Sequence, residues 1–265
     1  MSEANPPLFD PPAFVREIEA VANAGGWTTR YLSPADGAAR PWFQRPAQAH
    51  AETRVPSVYL SAGIHGDEIS GPLAILEMLR RPGFFAAFDT TLFPILNPHG
   101  LARNRRENAD GIDLNRDYRN SKSEEIRSHI EALKTLGRFD ASMMLHEDFE
   151  GIGAYLYELN DELPQGLGKK IIAAMGRHVP IDQRPEIEEV RATGGVIQRS
   201  DIRLKHGSFE ERPDWPEAIY LCLHHTKVAY TTETPKPFPL VDRIAAQIAA
   251  VETMLEAMKN APLSS

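Results

Sequence analysis

The sequence is nearly devoid of cysteine. Its single thiol, Cys222, cannot form an intramolecular disulfide, and a zinc module built from several cysteines is excluded. Because Cys222 lies in the apolar run of residues 219–223, we expect a buried and unreactive thiol.

Long apolar runs and excess positive charge are also missing. No segment approaches the roughly 20 apolar residues of a membrane span, and the N-terminus Met-Ser-Glu-Ala-Asn-Pro-Pro lacks the features of a signal peptide. The net charge is −8 with a pI near 5.6, which argues against nucleic acid as a partner. We therefore expect a cytoplasmic protein that binds neither membranes nor nucleic acid.

The order of apolar segments predicts an α/β fold. Internal repeats and low-complexity tracts are absent, and 265 residues with 42% hydrophobic content suit a single domain over residues 1–265. Short apolar runs alternate with amphipathic segments, which indicates a mixed, mostly parallel β-sheet flanked by helices on both faces. Predicted strands cover residues 57–62, 91–96, 139–145, 155–159 and 227–232, and predicted helices cover residues 11–23, 69–79, 123–136, 163–177 and 240–258.

Four candidate site residues follow predicted strands. His65 and Glu68 lie after the strand of residues 57–62, with Gly66 between them to allow a tight turn, while His146 and Glu233 each follow a later strand. In parallel sheets ligands gather at the carboxyl ends of strands. Imidazole and carboxylate groups are natural zinc ligands, and three of them leave a position open for water.

A second polar cluster follows the turn-forming residues Asn97-Pro98-His99-Gly100. Arg106 and Arg116, with the amide of Asn115, can bind a carboxylate and stabilise a developing oxyanion. Taken alone, the cluster is more typical of an exposed charged loop.

In combination these pieces resemble the zinc carboxypeptidase family of carboxypeptidase A-like enzymes. The matching motifs occur in the family's order: His65-x-x-Glu68, Asn97-Pro98-x-Gly100, Arg106, Gly111-x-Asp113-x-Asn115-Arg116, His146 and Glu233. The compact spacing is closest to the small bacterial branch that includes murein peptide amidases.

The resemblance implies a role for each matching residue. His65, Glu68 and His146 would hold one zinc ion, and Glu233 would be the general base that later protonates the leaving amine. Arg106 would polarise the scissile carbonyl, while Asn115 and Arg116 would bind the substrate's terminal carboxylate. The implied substrate is a small peptide or acyl amino acid with a free carboxylate.

Some positions depart from the family pattern. Asp67 stands where the digestive members carry arginine, and Glu147 follows His146 in place of a small serine. Tyr220 is the nearest candidate for the substrate-covering tyrosine, although its spacing to Glu233 is short. We expect the charged stretch of residues 180–216 to contain the specificity loop and to receive a polar or charged substrate tail, and Glu147, Asp148 and Glu150 to orient the histidines or to form a surface turn.

Three functions remain open at this point. The leading prediction is a zinc metallocarboxypeptidase or peptide amidase that hydrolyses an amide bond near a free carboxylate. The second is an N-acyl amino acid deacylase that resembles aspartoacylase and succinylglutamate desuccinylase. The third is a non-catalytic module that binds carboxylates.

Overall fold

An eight-stranded mixed sheet organises the protein in the computed structural model, which describes residues 9–33, 37–48, 54–160 and 166–259. The strands are β1 (Thr28–Tyr31), β2 (Pro41–Arg45), β3 (Ser57–Ala62), β4 (Asp89–Phe93), β5 (Ala141–Asp148), β6 (Tyr155–Asn160), β7 (Glu186–Ile187), β8 (Val190–Arg191), β9 (Val196–Gln198) and β10 (Val228–Pro235). Their order in the sheet is β1-β2-β4-β3-β5-β10-β6-β9, and β7 and β8 form a separate hairpin.

The four central strands β4, β3, β5 and β10 run parallel to one another. β2 pairs antiparallel with β1 and β4, whereas β6 pairs antiparallel with β10 and parallel with β9. This arrangement confirms the predicted α/β class with a mixed, mostly parallel sheet, as in the zinc carboxypeptidase fold.

Helices cover both faces of the sheet. They are α1 (Pro11–Ala24), α2 (Ser70–Leu79), α3 (Pro98–Arg103), α4 (Glu124–Lys134), α5 (Leu167–Met175), α6 (Arg199–His206), α7 (Glu217–His224) and α8 (Leu240–Lys259). Side chains of α1, α2, α5 and α8 pack in one apolar core, and side chains of α4, α6 and α7 pack in the other. Strand residues alternate between the two cores, as Leu60 and Tyr59 of β3 illustrate.

Local sequence signals account for several helix starts. Asp10 caps α1 by accepting the Ala13 N–H at 3.0 Å, and Ser123 accepts the Ile126 N–H at 3.3 Å at the start of α4. Both caps lie at the starts of the helices predicted for residues 11–23 and 123–136.

The structure corrects other boundaries. The turn expected at residues 97–100 is the start of α3, because Asn97 caps it by accepting the Gly100 N–H at 2.9 Å. His146 and Glu233 lie inside β5 and β10, which run past their predicted ends. Cys222 lies on α7 and is only partly buried. No helix in the described part of the chain is long and apolar enough to cross a membrane.

Candidate metal centre

The parallel strands bring the three predicted metal ligands to one edge of the sheet. β3 ends at Ala62, which pairs with Leu145, so the loop after β3 begins beside His146. Glu233 of β10 pairs directly with His146 of β5. Because neighbouring residues in register point to the same side of a sheet, the Glu233 side chain lies next to the candidate ligands.

The side chains of His65, Glu68 and His146 converge on one point and are almost fully buried. The two Nδ1 atoms of the histidines are 3.3 Å apart. His65 Nδ1 lies 2.6 Å from Glu68 Oε1, and His146 Nδ1 lies 2.9 Å from Glu68 Oε2. Two nitrogen ligands at zinc bond lengths of about 2.0–2.1 Å, in tetrahedral geometry, are separated by about 3.3–3.4 Å.

The nitrogen and oxygen atoms of this cluster are arranged to share a metal ion rather than a proton. His65 presents Nδ1 to Glu68 and Nε2 to Asp113, which is 3.2 Å away, and His146 Nδ1 faces both His65 and Glu68. A bound cation would take the lone pairs of the two Nδ1 atoms and leave the His65 Nε2–H to donate to Asp113. Glu68 Oε2 is buried and its one close polar contact among the described residues is His146 Nδ1, at 2.9 Å but without hydrogen-bond geometry, as expected of two atoms that share a metal ion. Zinc is the metal that this set favours.

The pKa values of two carboxylates in and beside the cluster are strongly lowered. Burial alone would raise the pKa of Glu68, but the adjacent His65 and His146 hold it well below its ordinary range. Burial opposes ionisation of Asp113 as well, yet His65 and Arg106 keep its pKa low. Both carboxylates therefore stay negative at neutral pH and favour a cation between the histidines.

Close backbone packing explains the glycine between His65 and Asp67. A Cβ on Gly66 would lie 2.1 Å from the Gly100 carbonyl carbon and 2.3 Å from the Arg105 carbonyl oxygen. The constraint is contact with the start of α3 and the segment before Arg106, since Gly66 does not adopt a positive φ. The Asn97–Gly100 motif thus fixes the metal-binding loop against the segment that carries Arg106.

Arg106 reaches the cavity beside the metal cluster. Its Nε lies 3.0 Å from Asp113 Oδ2, and its Nη1 lies 3.9 Å from Glu68 Oε1. Asp113 therefore links Arg106 to His65. Sequence reasoning included Asp113 in a motif but gave it no role, although a carboxylate next to a metal-binding histidine is a common partner.

Asn115 and Arg116 also line the cavity, in a 3₁₀ turn at Leu114–Arg116. Asn115 Oδ1 accepts the Glu217 N–H at 2.9 Å, so the amide nitrogen is the end that remains for a ligand. Arg116 Nη1 donates to the Asn115 carbonyl at 2.8 Å, and its Nε lies 3.5 Å from Asp214. The pair offers hydrogen-bond donors and one positive charge to an anionic group.

Glu233 lies at the cavity wall next to His146. Burial raises its pKa to about 8, with Glu68 and Asp148 adding to the shift and His146 opposing it. A cation at the adjacent ligands would lower this pKa again, which leaves Glu233 able to exchange a proton near neutral pH.

A cavity of about 840 Å³ joins these groups. Its wall includes the tip of the β7–β8 hairpin, where Glu188 and Glu189 both adopt the left-handed conformation with φ of 51° and 56°. Non-glycine residues rarely adopt this conformation, so the tip is a strained element at the mouth of the site. Tyr155 and Tyr157 line the same wall.

Other expected residues lie elsewhere. Tyr220 is buried in α7 against the Tyr118 ring, at 5.5 Å between centroids, and does not line the cavity. Glu147 is buried with Arg243 and accepts the Ser70 N–H at 2.9 Å, so it anchors α2 and α8 and does not orient a histidine. Glu147 and Asp148 both border the cavity, whereas Glu150 is exposed.

The stretch of residues 180–216 contributes fewer charges to the cavity than expected. Glu188, Glu189 and Arg212 line it, together with the apolar Val190, Ile202 and Phe209. Arg191 is largely exposed and pairs with Asp201 at 3.3 Å. The side chains of Arg203 and Lys205 lie outside the described residues.

Comparison with known proteins gives two findings. The sequence model for "Succinylglutamate desuccinylase/Aspartoacylase catalytic domain" matches residues 54–175, which include His65, Glu68 and His146 but not Glu233. No curated protein matches the chain in sequence.

Solved structures match the whole fold. A candidate metallopeptidase from Shewanella denitrificans OS217 is 26% identical with a TM-score of 0.77, over 92% of this chain and 88% of that one. A candidate metallopeptidase from Shewanella amazonensis SB2B is 25% identical with a TM-score of 0.77, over 92% of each chain. A metallo-carboxypeptidase from Pseudomonas aeruginosa, in complex with (2-guanidinoethylmercapto)succinic acid, is 16% identical with a TM-score of 0.65, over 92% of this chain and 68% of that one.

The chain has the fold and the candidate zinc site of a metal-dependent hydrolase. The carboxypeptidase structures share the fold of this chain. The family whose model matches residues 54–175 is the one that was considered second from the sequence.

Proposed function

We propose that the protein is a zinc metallocarboxypeptidase or peptide amidase that hydrolyses an amide bond near a free carboxylate of a small substrate. The observation that carries the proposal is the meeting of three groups in one cavity: the His65–Glu68–His146 cluster, the carboxyl of Glu233, and the donors of Asn115 and Arg116. They correspond to a metal-binding group, a base and an anion-binding group.

Each side chain has a chemical task in this reaction. His65, Glu68 and His146 would hold a zinc ion, whose Lewis acidity would activate water for attack near neutral pH. Glu233 accepts the proton of the attacking water and returns it to the leaving nitrogen. Arg106 faces the carbonyl oxygen that becomes negative, and its orientation is set by Asp113. Asn115 and Arg116 bind the substrate carboxylate and so place the scissile amide next to the base.

The second candidate is an N-acyl amino acid deacylase. It is favoured by the family that matches residues 54–175, whose description names a desuccinylase and an acylase. The same residues serve both reactions, because each product amino acid also carries a carboxylate. The difference lies in the acyl group, which belongs to a peptide in one case and to a simple acid in the other.

Metal analysis and product identification test the proposal together. The protein, purified without chelator, is expected to carry about one zinc ion and to release C-terminal residues from a peptide library, as followed by mass spectrometry. Glu233→Gln should keep the metal and lose most of the activity. Glu131→Gln, an exposed glutamate of α4, is the matched control and should behave as wild type.

Each outcome has a distinct meaning. Cleavage of N-acyl amino acids with no cleavage of peptides would select the deacylase. A metal-free protein, or a Glu233→Gln variant as active as wild type, would refute the assigned roles. A zinc-loaded protein without any turnover would indicate a carboxylate-binding module.

A further inference from the structure

Four side chains behind the cavity wall form a continuous chain of hydrogen bonds. Tyr118 Oη lies 2.7 Å from His129 Nδ1, and His129 Nε2 lies 3.1 Å from Tyr59 Oη. The Tyr59 hydroxyl donates in turn to Glu217 Oε1. All four residues are at most 2% exposed, and they come from four parts of the fold: the segment after the 3₁₀ turn, α4, β3 and α7.

While Glu217 is ionised, the donor and acceptor in each hydrogen bond of this network can be assigned in only one way. The Tyr59 hydroxyl has a single hydrogen, which goes to Glu217, so the Tyr59 oxygen must accept from His129 Nε2–H. Burial, aided by Arg40 and His225, lowers the pKa of His129 to about 3, so the ring is neutral. Its Nδ1 is then an acceptor for the Tyr118 hydroxyl. Aligned hydrogen bonds of this kind strengthen one another in a low-dielectric interior.

Both ends of the chain meet the predicted anion-binding residues. Glu217 holds the Asn115 amide through its backbone N–H, at 2.9 Å. Its Oε2 has no hydrogen-bond partner among the described residues, so its carboxyl is held through Oε1 by Tyr59. At the other end, Tyr118 follows Arg116 with only Asp117 between them. The network thus contacts the Asn115 amide through Glu217 and anchors the backbone two residues after Arg116 through Tyr118.

We propose that Tyr118, His129, Tyr59 and Glu217 are positioning residues that set the orientation of Asn115 and Arg116 for binding of the substrate carboxylate. This inference rests on the proposed function, in which that pair binds the carboxylate. A buried polar network seldom stabilises a protein more than well-packed apolar side chains would, so we expect this network to contribute by fixing the orientation of its neighbours. The geometric result is that Asn115 presents its N–H₂ group, and not its carbonyl, to the cavity.

The test compares substrates that differ only in the group that Asn115 and Arg116 bind. Tyr118→Phe and Tyr59→Phe each break the chain without removing a ring. Each variant is assayed on a peptide library with free carboxyl termini and on the same peptides as carboxamides. We expect KM for the free-carboxylate peptides to rise about tenfold with little change in kcat, and kcat/KM for the carboxamides to stay the same.

Two further measurements separate positioning from general structural damage. The double variant should raise KM about as much as either single variant, because the chain acts as a unit. Tyr220→Phe removes a hydroxyl from a neighbouring ring outside the chain, 5.5 Å from Tyr118, and should leave both substrate sets unaffected.

The inference is wrong if folded Tyr118→Phe and Tyr59→Phe proteins keep the wild-type preference for carboxylates over carboxamides, or lose activity on both sets equally. Arg116→Gln, measured in parallel, identifies which proposal has failed. If Arg116→Gln abolishes the preference and the tyrosine variants do not, only the positioning role fails. If wild type shows no preference or no turnover, the carboxylate site itself is refuted, and the positioning role with it.

Discussion

Asp113 joins a candidate metal ligand to the arginine that faces the substrate. Its Oδ1 lies 3.2 Å from His65 Nε2 and accepts the Asn115 N–H at 2.9 Å, while its Oδ2 accepts from Arg106 Nε at 3.0 Å. Asp113→Ala removes all three contacts. Asp113→Asn keeps an oxygen for His65 but places an amide N–H₂ against the Arg106 donor. The two variants therefore separate the effect on the metal from the effect on Arg106.

The size of each effect follows from these contacts. Loss of a carboxylate that orients a metal-binding histidine costs about 10–100-fold in metal affinity, which is about 1.4–2.7 kcal/mol. We expect Asp113→Ala to show this loss. Because the side chains of Asp113 and Arg106 are 25% and 40% exposed, their ion pair is partly screened by solvent. Asp113→Asn should thus keep its zinc and lose about tenfold in kcat, near the lower end of typical electrostatic effects.

Zinc affinity is measured by competition with a chromophoric chelator. The values of kcat and KM are measured on the best peptide of the library. Asp110→Asn is the control, because Asp110 is an exposed carboxylate of the same loop. Wild-type zinc affinity in Asp113→Ala would refute the link between Asp113 and His65. Unchanged kcat in Asp113→Asn would refute the orientation of Arg106.

Three other predictions concern binding, packing and pH. Arg116→Gln should raise KM for carboxylate substrates by about 10-fold or more with kcat largely retained, since it removes a charge-assisted hydrogen bond; equal losses for carboxamides would contradict this. Gly66→Ala should lower both the melting temperature and the zinc content, because the new Cβ would lie 2.1 Å from the Gly100 backbone; wild-type stability by calorimetry would disprove the close packing. The folded pKa of His129 is about 3 against about 6.5 in the unfolded chain. Because only the unfolded state binds the extra proton, the free energy of unfolding should fall by on the order of a few kcal/mol as the pH drops from 6.5 towards 3. Urea unfolding at pH 7 and pH 5 measures this change, and His129→Gln should make the free energy of unfolding less dependent on pH.

The acidic tip of the β7–β8 hairpin also bears on the substrate. Glu188 and Glu189 line the same cavity as Arg106, Arg116 and Arg212. The polar tail expected from the sequence would meet charge here, while Ile202 and Phe209 supply an apolar surface nearby. Products identified from the peptide library will show which of these surfaces the substrate uses.

Local patterns in the sequence determined the main elements. The buried apolar run of β3, the caps of α1 and α4, and the long apolar face of α8 all depend on neighbouring residues, so they could be predicted from local sequence alone. The ligand candidates followed from their positions after apolar strands and from ordered motifs. Their roles, and that of Glu233, remain predictions for the variants above to test.

Tertiary structure decided what depends on distant contacts. The start of α3 at residues 97–100 was missed because an Asn-Pro-x-Gly run is compatible with a turn or a helix cap until its packing is known. Tyr220 was assigned to the cavity, yet its place in the core depends on how α7 packs against Tyr118. The links of Asp113 to His65 and of Tyr59 to Glu217 span 48 and 158 residues. Contacts of that range leave no periodic signal in the sequence, because they arise only when separate strands and helices meet in the folded chain.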